Sequence, residues 1–375
     1  MNIGYDIRPF LKNETGVGVY FRNLLWSLSR LDRDNSYFLF SSSLKDRFPK
    51  DKIPAFCPLN FRDLRIPVKV MNWMWQRMDW PPLDLFFRTR LDLTHSATPL
   101  PLPSKGRKIV TVYDLFFVES PEKADREAGR VFNRKIHRAL QEADGIIAIS
   151  RFTRDRILDI FPVDPKKIRV IPLGLHKKFW AGESFKDQEE TNLRLGLPAS
   201  FLLFVGALEK RKNLVRLIDA FDIVHKKRPD LSLVIAGRDG EDAPSVRRRI
   251  EELHLESCVR LLGYCGETDL RSLYGMAEAF VFPSLYEGFG LPLLEAMASE
   301  LPIAASGTSA LTEVGGEAAL YFDPEDSAEM AGVIERILED STLRIRLQAE
   351  GKKRVENFNW EHTAEETLDF YRAFK

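Results

Sequence analysis

Short apolar runs alternate with amphipathic stretches along most of this chain, in two separate series. Such alternation predicts an α/β protein, in which buried parallel strands are covered by helices. The first series consists of Ser36 to Ser41, Lys108 to Val112, Gly145 to Ser150 and Arg169 to Pro172. The second consists of Phe201 to Gly206, Ser232 to Gly237, Val259 to Gly263, Ala279 to Pro283 and Pro302 to Ser306. We therefore expect two doubly wound parallel sheets.

Two domains are also expected from the length of 375 residues, which exceeds an ordinary single core. Residues 179–198 are polar and lack a strong apolar period, which indicates a linker. We place the first domain at 1–178 and the second at 199–358. An amphipathic helix at 359–375 ends the chain, and the sequence leaves open whether it closes the second domain or crosses back to the first.

The charge balance argues against a nucleic-acid partner, because Lys+Arg and Asp+Glu are equal at 55 each. The cysteines Cys57, Cys258 and Cys265 are scattered, which indicates buried free thiols in a reducing compartment. The chain shows no basic-then-apolar leader and no apolar stretch of membrane-spanning length. We therefore expect a cytoplasmic protein.

The segment from Pro283 to Met297 contains the clearest candidate site. A buried strand leads into a glycine-rich turn, and a helix is expected to begin near Pro292. Free backbone N–H groups and the positive helix end would meet at this turn, which favours an anion such as a diphosphate. Gly288 and Gly290 would allow a close approach of the main chain. A plain strand-to-helix turn is the structural alternative.

Two carboxylates near this turn indicate which kind of ligand it would bind. Glu287 precedes the expected helix and Glu295 lies about one turn inside it. Carboxylates suit sugar hydroxyls, because each accepts two or more charge-assisted hydrogen bonds. A solvated surface pair is the alternative.

Here the sequence resembles glycosyltransferase family 4, whose motif has two glutamates eight residues apart in this strand, loop and helix. The segment Phe204 to Asn213 resembles the first loop of that family's C-terminal domain, and Asp6 to Tyr20 resembles its N-terminal glycine-rich loop. Ala148 to Thr153, Val170 to Gly174 and Phe358 to Trp360 also fall where the family has counterparts. The resemblance covers nearly the whole chain, least clearly 45–105 and 180–198.

The resemblance implies the GT-B fold, with two Rossmann-like domains facing across a cleft. It also implies a basic pair, Arg211 and Lys212, that grips the donor diphosphate, and a base site near Arg260 to Tyr264. The residues expected to act in catalysis are Asp114, Glu287, Arg211 and Lys212. The residues expected to bind the donor are Gly16, Gly18, Gly206, Leu261, Tyr264, Gly288, Phe289, Gly290, Leu291 and Glu295.

One position departs from the family pattern. Many members carry His-Asp-Leu where this chain has Tyr113, Asp114 and Leu115. A tyrosine is a poor base near neutral pH, since its unperturbed pKa is about 10. Asp114 is therefore the better candidate for contacting the acceptor or stabilising charge, with a turn or helix-capping aspartate as the alternative.

The resemblance implies a transferase that retains the anomeric configuration and uses a nucleotide diphosphate sugar, with GDP-mannose as first choice and UDP-glucose as second. Glu287 would lie too near the sugar hydroxyls to be an obvious nucleophile, which favours same-face attack assisted by the leaving diphosphate. The acceptor would be a glycan or a lipid-linked saccharide in polysaccharide biosynthesis. No cofactor and no catalytic metal are implied.

Four other classes of protein are alternatives to this transferase. An epimerase or hydrolase of nucleotide sugars would share the architecture, and spacing does not exclude it. A non-catalytic sugar-nucleotide binder would be free to lose the glutamates and the basic pair. A dehydrogenase needs Gly-x-Gly-x-x-Gly, whereas Gly16 and Gly18 are followed by Phe21. A metal-dependent transferase needs Asp-x-Asp after a strand, but Asp32 and Asp34 follow an expected helix.

The segment Val68 to Trp80 is rich in methionine and tryptophan and is expected to form a helix. Residues at helical spacing share a face that would pack into the core: Met71, Met74, Trp75 and Met78. The alternative is that this region contacts the inner surface of the membrane. The face would consist of Trp73, Trp80, Arg62, Arg65, Lys69 and Arg77. That face would suit a lipid-linked acceptor.

Overall fold

The computed structural model describes residues 1–8, 16–49, 53–54, 56, 59–120, 135–176 and 185–375. The chain divides into two units, of which the first comprises Met1–Gly174 with Trp360–Lys375 and the second comprises Leu175–Asn359. The helix Phe185–Leu195 occupies much of the segment expected to be a linker. The last helix, Trp360–Arg372, belongs to the first unit.

The first unit contains a parallel sheet of seven strands in the order β3-β2-β1-β4-β5-β6-β7. Its strands are β1 (Asn2–Asp6), β2 (Ser36–Ser42), β3 (Leu59–Leu64), β4 (Leu93–Ser96), β5 (Arg107–Val112), β6 (Gly145–Ala148) and β7 (Ile168–Val170). Its helices are Gly16–Leu31, Val68–Met78, Leu83–Phe87, Phe116–Glu119, 135–142, Arg151–Ile160 and Trp360–Arg372. A short 3-10 turn spans Pro165–Lys167.

The second unit contains a parallel sheet of six strands in the order β10-β9-β8-β11-β12-β13. Its strands are β8 (Phe201–Val205), β9 (Ser232–Ala236), β10 (Val259–Gly263), β11 (Ala279–Phe282), β12 (Ile303–Ser306) and β13 (Ala319–Phe322). Its helices are Phe185–Leu195, Leu214–Lys227, Ala243–Glu252, Glu267–Met276, Leu291–Ala298, Leu311–Gly315, Ser327–Glu339 and Ser341–Val355. Two 3-10 turns span Lys210–Lys212 and Gly316–Ala318.

Both predicted series of strands are present, and every strand end lies within two residues of the predicted end. Every residue of β8 is buried, as expected for a central parallel strand that helices cover on both faces. Strands β1, β3, β4 and β13 are not among the two predicted series. Strand β3 is half-exposed and strand β4 carries Thr94 and His95, so neither reads as an apolar run.

Two helix predictions need correction. The first helix begins at Gly16, so Gly16 and Gly18 lie in its first turn and not in the glycine-rich loop that the resemblance of Asp6 to Tyr20 implies. In the helix Val68–Met78, Met71 and Trp75 pack into the core as predicted, whereas Met74 is half-buried and Met78 is 48% exposed.

A buried hydrogen-bonded network holds the last helix within the first unit. The Tyr371 hydroxyl lies 2.6 Å from the Tyr5 hydroxyl and 2.6 Å from His95 Nδ1. His95 Nε2 lies 2.7 Å from the Thr111 hydroxyl. Burial lowers the pKa of His95 to about 3, so the ring is neutral near pH 7. The network therefore links the last helix to β1, β4 and β5 without a buried charge.

No helix among the described residues is long and apolar enough to cross a membrane. Cys258 and Cys265 are free thiols in buried positions, and Cys57 lies outside the described residues.

Candidate functional site

The strand order of the second sheet reverses between β8 and β11, because the chain builds outward from β8 in one direction and from β11 in the other. Ligands of open α/β sheets bind outside the carboxyl ends of the strands at such a point. Strand β8 is followed by the turn Lys210–Lys212, and β11 is followed by the loop that carries Glu287. The predicted basic pair and the first glutamate therefore flank the position where a ligand is expected.

The structure brings these three side chains into contact. Lys212 Nζ donates to Glu287 Oε1 at 2.5 Å, and Arg211 Nη1 donates to Glu287 Oε2 at 3.1 Å. Arg211 Nε also donates to Glu209 Oε2 at 3.0 Å. Lys212 and Glu287 are only 7% and 8% exposed. The alternative of a solvated surface pair is therefore wrong for Lys212 and Glu287.

Burial and charge oppose each other in this pair. Burial lowers the pKa of Lys212, and the attraction of Glu287 offsets only part of that effect. Burial raises the pKa of Glu287, but Lys212 and Arg211 outweigh it, so that the net pKa lies below the usual value. Glu287 is therefore ionised near neutral pH, and each of its oxygens accepts a hydrogen bond from a cation. A carboxylate held in this way is poorly placed to act as a free nucleophile.

Asn213 fixes the loops around this cluster, a role that sequence reasoning missed. Its backbone lies in the left-handed region with φ of 59°, which asparagine tolerates better than most residues. Its Nδ2 donates to Pro283 O at 3.1 Å and to Pro324 O at 2.7 Å. The Leu285 N–H donates to Arg211 O at 2.8 Å, which adds a second tie between the turn and the Glu287 loop.

Glycines allow the chain to pass closely at two points of the site. A Cβ added to Gly237, at the end of β9, would lie 1.8 Å from Gly206 O, at the end of β8. Gly290 has φ of 113° and precedes the helix Leu291–Ala298, where an added Cβ would lie 2.8 Å from Leu311 Cδ2. Only glycine therefore fits at Gly290, at the start of the predicted helix.

Glu295 lies inside that helix, as predicted, and faces a neighbouring helix. The Tyr274 hydroxyl donates to Glu295 Oε2 at 2.8 Å. Burial raises the pKa of Glu295 to about 7, although the hydrogen bond from Tyr274 opposes this rise. Glu295 is thus half-protonated near neutral pH, which distinguishes it from Glu287.

The remaining predicted donor residues of the second unit lie at the same carboxyl edge. Leu261 is half-buried in β10, and Tyr264, just beyond its end, is 76% exposed. Gly288 belongs to the Glu287 loop. Phe289 is buried against Phe358, with the two ring centroids 5.8 Å apart, and Leu291 begins the helix.

The first unit contains the other predicted residues. Gly16 and Gly18 begin its first helix, and residues 9–15 lie outside the described residues. Asp114 follows β5, and its Oδ1 accepts a hydrogen bond from the Phe116 N–H at 3.2 Å, the turn contact that the structural alternative predicts. The Tyr113 hydroxyl is buried without a hydrogen bond to any described residue, and burial raises its pKa well above the usual value.

Asp32 has a structural role. Its carboxylate accepts hydrogen bonds from the Tyr37 hydroxyl at 2.5 Å and from Asn35 Nδ2 at 2.7 Å. It also accepts from the backbone of Asp34 at 3.0 Å, so it stabilises the turn into β2. The described ranges contain no cluster of three histidine, cysteine or acidic side chains suited to hold a metal ion.

Two protein-family models match the chain, one over each half. The model described as Glycosyltransferase Family 4 matches residues 15–178, and the model described as Glycosyl transferases group 1 matches residues 186–354. The O-antigen chain mannosyltransferase B of Escherichia coli is 29% identical over 270 residues, which covers 71% of this chain and 70% of that protein.

Solved structures show the same fold. Sucrose-phosphate synthase from Thermosynechococcus elongatus superposes with a TM-score of 0.77 at 23% identity, covering 99% of this chain and 98% of that one. HepE from Anabaena in complex with UDP-glucose superposes with a TM-score of 0.75 at 17% identity, covering all of both chains. The two parallel sheets therefore constitute the GT-B architecture.

Proposed function

This chain belongs to the glycosyltransferases described by the group 1 and family 4 models, and we propose that it is a retaining hexosyltransferase that uses a nucleotide diphosphate sugar. The observation that carries the proposal is the cluster of Arg211, Lys212 and Glu287 at the reversal point of the second sheet. The acceptor is a glycan or a lipid-linked saccharide of polysaccharide biosynthesis. This assignment rests on the mannosyltransferase relative.

In the proposed mechanism, Arg211 and Lys212 stabilise the negative charge that develops on the leaving diphosphate. The bond between the anomeric carbon and the diphosphate oxygen breaks while the acceptor hydroxyl attacks the same face of the sugar. The hydroxyl proton passes to the departing phosphate oxygen. Glu287, held by the two cations, orients sugar hydroxyls instead of forming a covalent intermediate. Asp114 contacts the acceptor or stabilises charge.

GDP-mannose is the donor we propose first, because the relative at 29% identity is a mannosyltransferase. UDP-glucose is second, because HepE was solved with it. A thermal-shift panel of GDP, UDP, ADP and dTDP sugars tests both. We expect one sugar nucleotide to raise the melting temperature above the others. Absence of a shift with every compound would contradict the proposal.

Retention and transfer can be tested with the donor that the panel identifies. Proton NMR of the first product formed should show the anomeric configuration of the donor, and an inverted product would contradict retention. An epimerase or a hydrolase would instead consume the donor at full rate without any acceptor. We expect donor turnover to depend on an added saccharide acceptor, which excludes both alternatives.

We further propose that transfer needs no divalent metal, because Arg211, Lys212 and the N-terminus of the helix Leu291–Ala298 supply positive potential at the diphosphate. Turnover should therefore be the same in EDTA and in magnesium or manganese. A loss of activity in EDTA that either metal restores would show that the cations do not suffice.

Peripheral contact with a membrane is proposed from the helix Val68–Met78. Its outward face presents Trp73, which is 57% exposed, between the exposed Lys69 and Arg77, and Trp80 follows at 52% exposed. Aromatic rings and cations together favour the interface of an anionic bilayer. Such contact would bring the enzyme to a lipid-linked acceptor.

Co-sedimentation with anionic liposomes tests this contact. The native protein should pellet with vesicles at low salt, and the Trp73→Ala, Trp80→Ala double variant should remain in the supernatant. Leu193→Ala, which removes an exposed apolar side chain from the second unit, should pellet like the native protein. A native protein that stays in the supernatant at low and moderate salt would contradict the membrane contact.

A further inference from the structure

A cavity of about 850 Å³ lies within the first unit and is lined by residues of that unit. It opens beside Asp6, the last residue of β1, and Arg8, which follows that strand. It also opens beside Ser96, the last residue of β4, and Thr98, which follows that strand. The strand order of the first sheet reverses between β1 and β4. The cavity therefore occupies the position, outside the carboxyl ends at a reversal of strand order, where such sheets bind ligands.

Arg8 is the charged group built into this cavity. Its guanidinium forms a fork with Asp6, with Nε to Oδ1 at 2.8 Å and Nη2 to Oδ2 at 2.7 Å. It lies over the rings of Trp75 and Phe40, with its Cζ 4.6 Å and 5.7 Å from their centroids. Asp6 and the two rings thus hold the guanidinium in one orientation.

The third nitrogen of Arg8 has no hydrogen-bond partner among the described residues. The Arg8 side chain is only 7% exposed, and Nη1 is buried without a hydrogen bond to any residue that the structure describes. A buried guanidinium N–H without an acceptor is unfavourable and rare in folded proteins. Because Arg8 lines the cavity, a ligand with an anionic oxygen could satisfy this nitrogen.

The rest of the lining suits a charged sugar. Asn72 and Gln76 offer amides, Thr98 offers a hydroxyl, and Trp75 and Leu102 offer apolar surface. Five cationic and three acidic side chains line the cavity, so positive charge is in excess. Lys135 Nζ lies on the opposite helix and donates to Gln76 Oε1 at 3.1 Å. A hydroxyl oxygen of a neutral saccharide could also accept from Arg8 Nη1, but an anionic oxygen forms a shorter and stronger, charge-assisted hydrogen bond with a guanidinium.

We propose that this cavity binds the acceptor, and that the acceptor is a saccharide carrying a phosphate or carboxylate whose oxygen accepts from Arg8 Nη1. The assignment as acceptor rests on the proposed transferase function, whereas the site for an anionic saccharide does not. Arg8 is a binding residue in this view, and the cluster of Arg211 and Lys212 serves the donor separately.

Calorimetry of the whole chain with three probes tests the site: mannose 1-phosphate, mannose and inorganic phosphate. We expect mannose 1-phosphate to bind at least about tenfold more tightly than either of the others, since it alone offers both a charge and a sugar ring. Equal affinity for mannose would overturn the anionic requirement. Equal affinity for inorganic phosphate would overturn the saccharide requirement, and no binding of mannose 1-phosphate would overturn the site.

Variants at residues of the cavity lining locate the site. Asn72→Asp places a negative charge on the half-buried lining and should weaken mannose 1-phosphate binding at least about tenfold. Gln141→Glu makes the matched change at an exposed position outside the lining and should bind like the native protein. Arg8→Lys keeps the charge but loses the guanidinium fork, and it should also weaken binding. Native affinity in Asn72→Asp would overturn the proposal.

The two proposals fail separately. A sugar nucleotide that raises the melting temperature, together with no binding of mannose 1-phosphate, removes only the cavity proposal. Binding of mannose 1-phosphate that depends on Asn72 and Arg8, without any response to sugar nucleotides, keeps the anionic saccharide site and removes the transferase function.

Discussion

Glu295 has a carboxyl group whose pKa burial raises to about 7, against an ordinary value of 4.5. Between these two pH values the folded protein retains a proton that the unfolded chain releases. The free energy of unfolding therefore falls as the pH rises through this window. Glu295 therefore lowers stability at neutral pH. Its place is in the predicted donor site, where its carboxyl group can form hydrogen bonds with hydroxyl groups in either protonation state.

We expect Glu295→Gln to remove that pH dependence. As the pH rises from 5 to 8, the free energy of unfolding of the variant should increase by about 2 kcal/mol relative to that of the native protein. Urea denaturation at both pH values measures this, with Glu325→Gln, an exposed glutamate of the same unit, as control. A difference between variant and native protein that stays constant with pH would contradict the raised pKa.

Lys212 and Glu287 depend on each other, because both are buried. Lys212→Met alone leaves a buried carboxylate with only Arg211, and Glu287→Leu alone leaves a buried ammonium without its partner. Each single change should cost about 3 kcal/mol, and the double change should cost clearly less than their sum. Chemical denaturation of the four proteins measures the coupling, and additive losses would refute it.

Among whole elements, the turn Lys210–Lys212 and the loop after β11 are joined through Asn213. Asn213→Gly keeps the left-handed backbone but releases Pro283 O and Pro324 O. It should weaken donor binding about tenfold, because the cations and Glu287 lose their fixed spacing. Asn213→Ala also places a Cβ in the left-handed region of the backbone, and it should lower the free energy of unfolding more than Asn213→Gly does. Calorimetry with the donor is the measurement, and native affinity in Asn213→Gly would exclude this positioning role.

The last helix is tied to the first unit by the Tyr371 hydroxyl. Tyr371→Phe removes a group that bonds both Tyr5 and His95, and it leaves a buried ring nitrogen unsatisfied. We expect a loss of about 1–3 kcal/mol in unfolding free energy. Tyr264→Phe makes the same change at an exposed position and should cost nothing measurable. Equal stability of both variants would show that the network contributes little.

The strands that the sequence predicts bury apolar side chains, whereas the elements that it does not predict bury polar ones. Strand β8 is apolar throughout, so its sequence predicts a buried strand. Strand β4 instead buries Thr94 and His95, whose side chains form hydrogen bonds with residues distant in sequence. The helix Phe185–Leu195 buries Thr191 and pairs Arg194 with Asp269, while its Leu193 is 78% exposed. Its amino acids therefore show no apolar stripe.

Across the whole molecule, each sheet reverses its strand order once, and polar residues gather at each reversal. The sequence placed Arg211, Lys212 and Glu287 after strands, since those motifs are local. It could not reveal that Lys212 contacts Glu287, because 75 residues separate them. Arg8 was overlooked for the same reason, because its partners Phe40 and Trp75 come from later elements.

The central claim is that Arg211, Lys212 and Glu287 form the donor diphosphate site. Calorimetric titration with GDP-mannose, or with whichever sugar nucleotide gives the largest thermal shift, tests it most directly. Lys212→Ala should bind the donor at least about tenfold more weakly than the native protein and lower turnover about 10²-fold. Lys226→Ala, at an exposed lysine of the next helix, should match the native protein in both. Native affinity and turnover in Lys212→Ala would contradict the account.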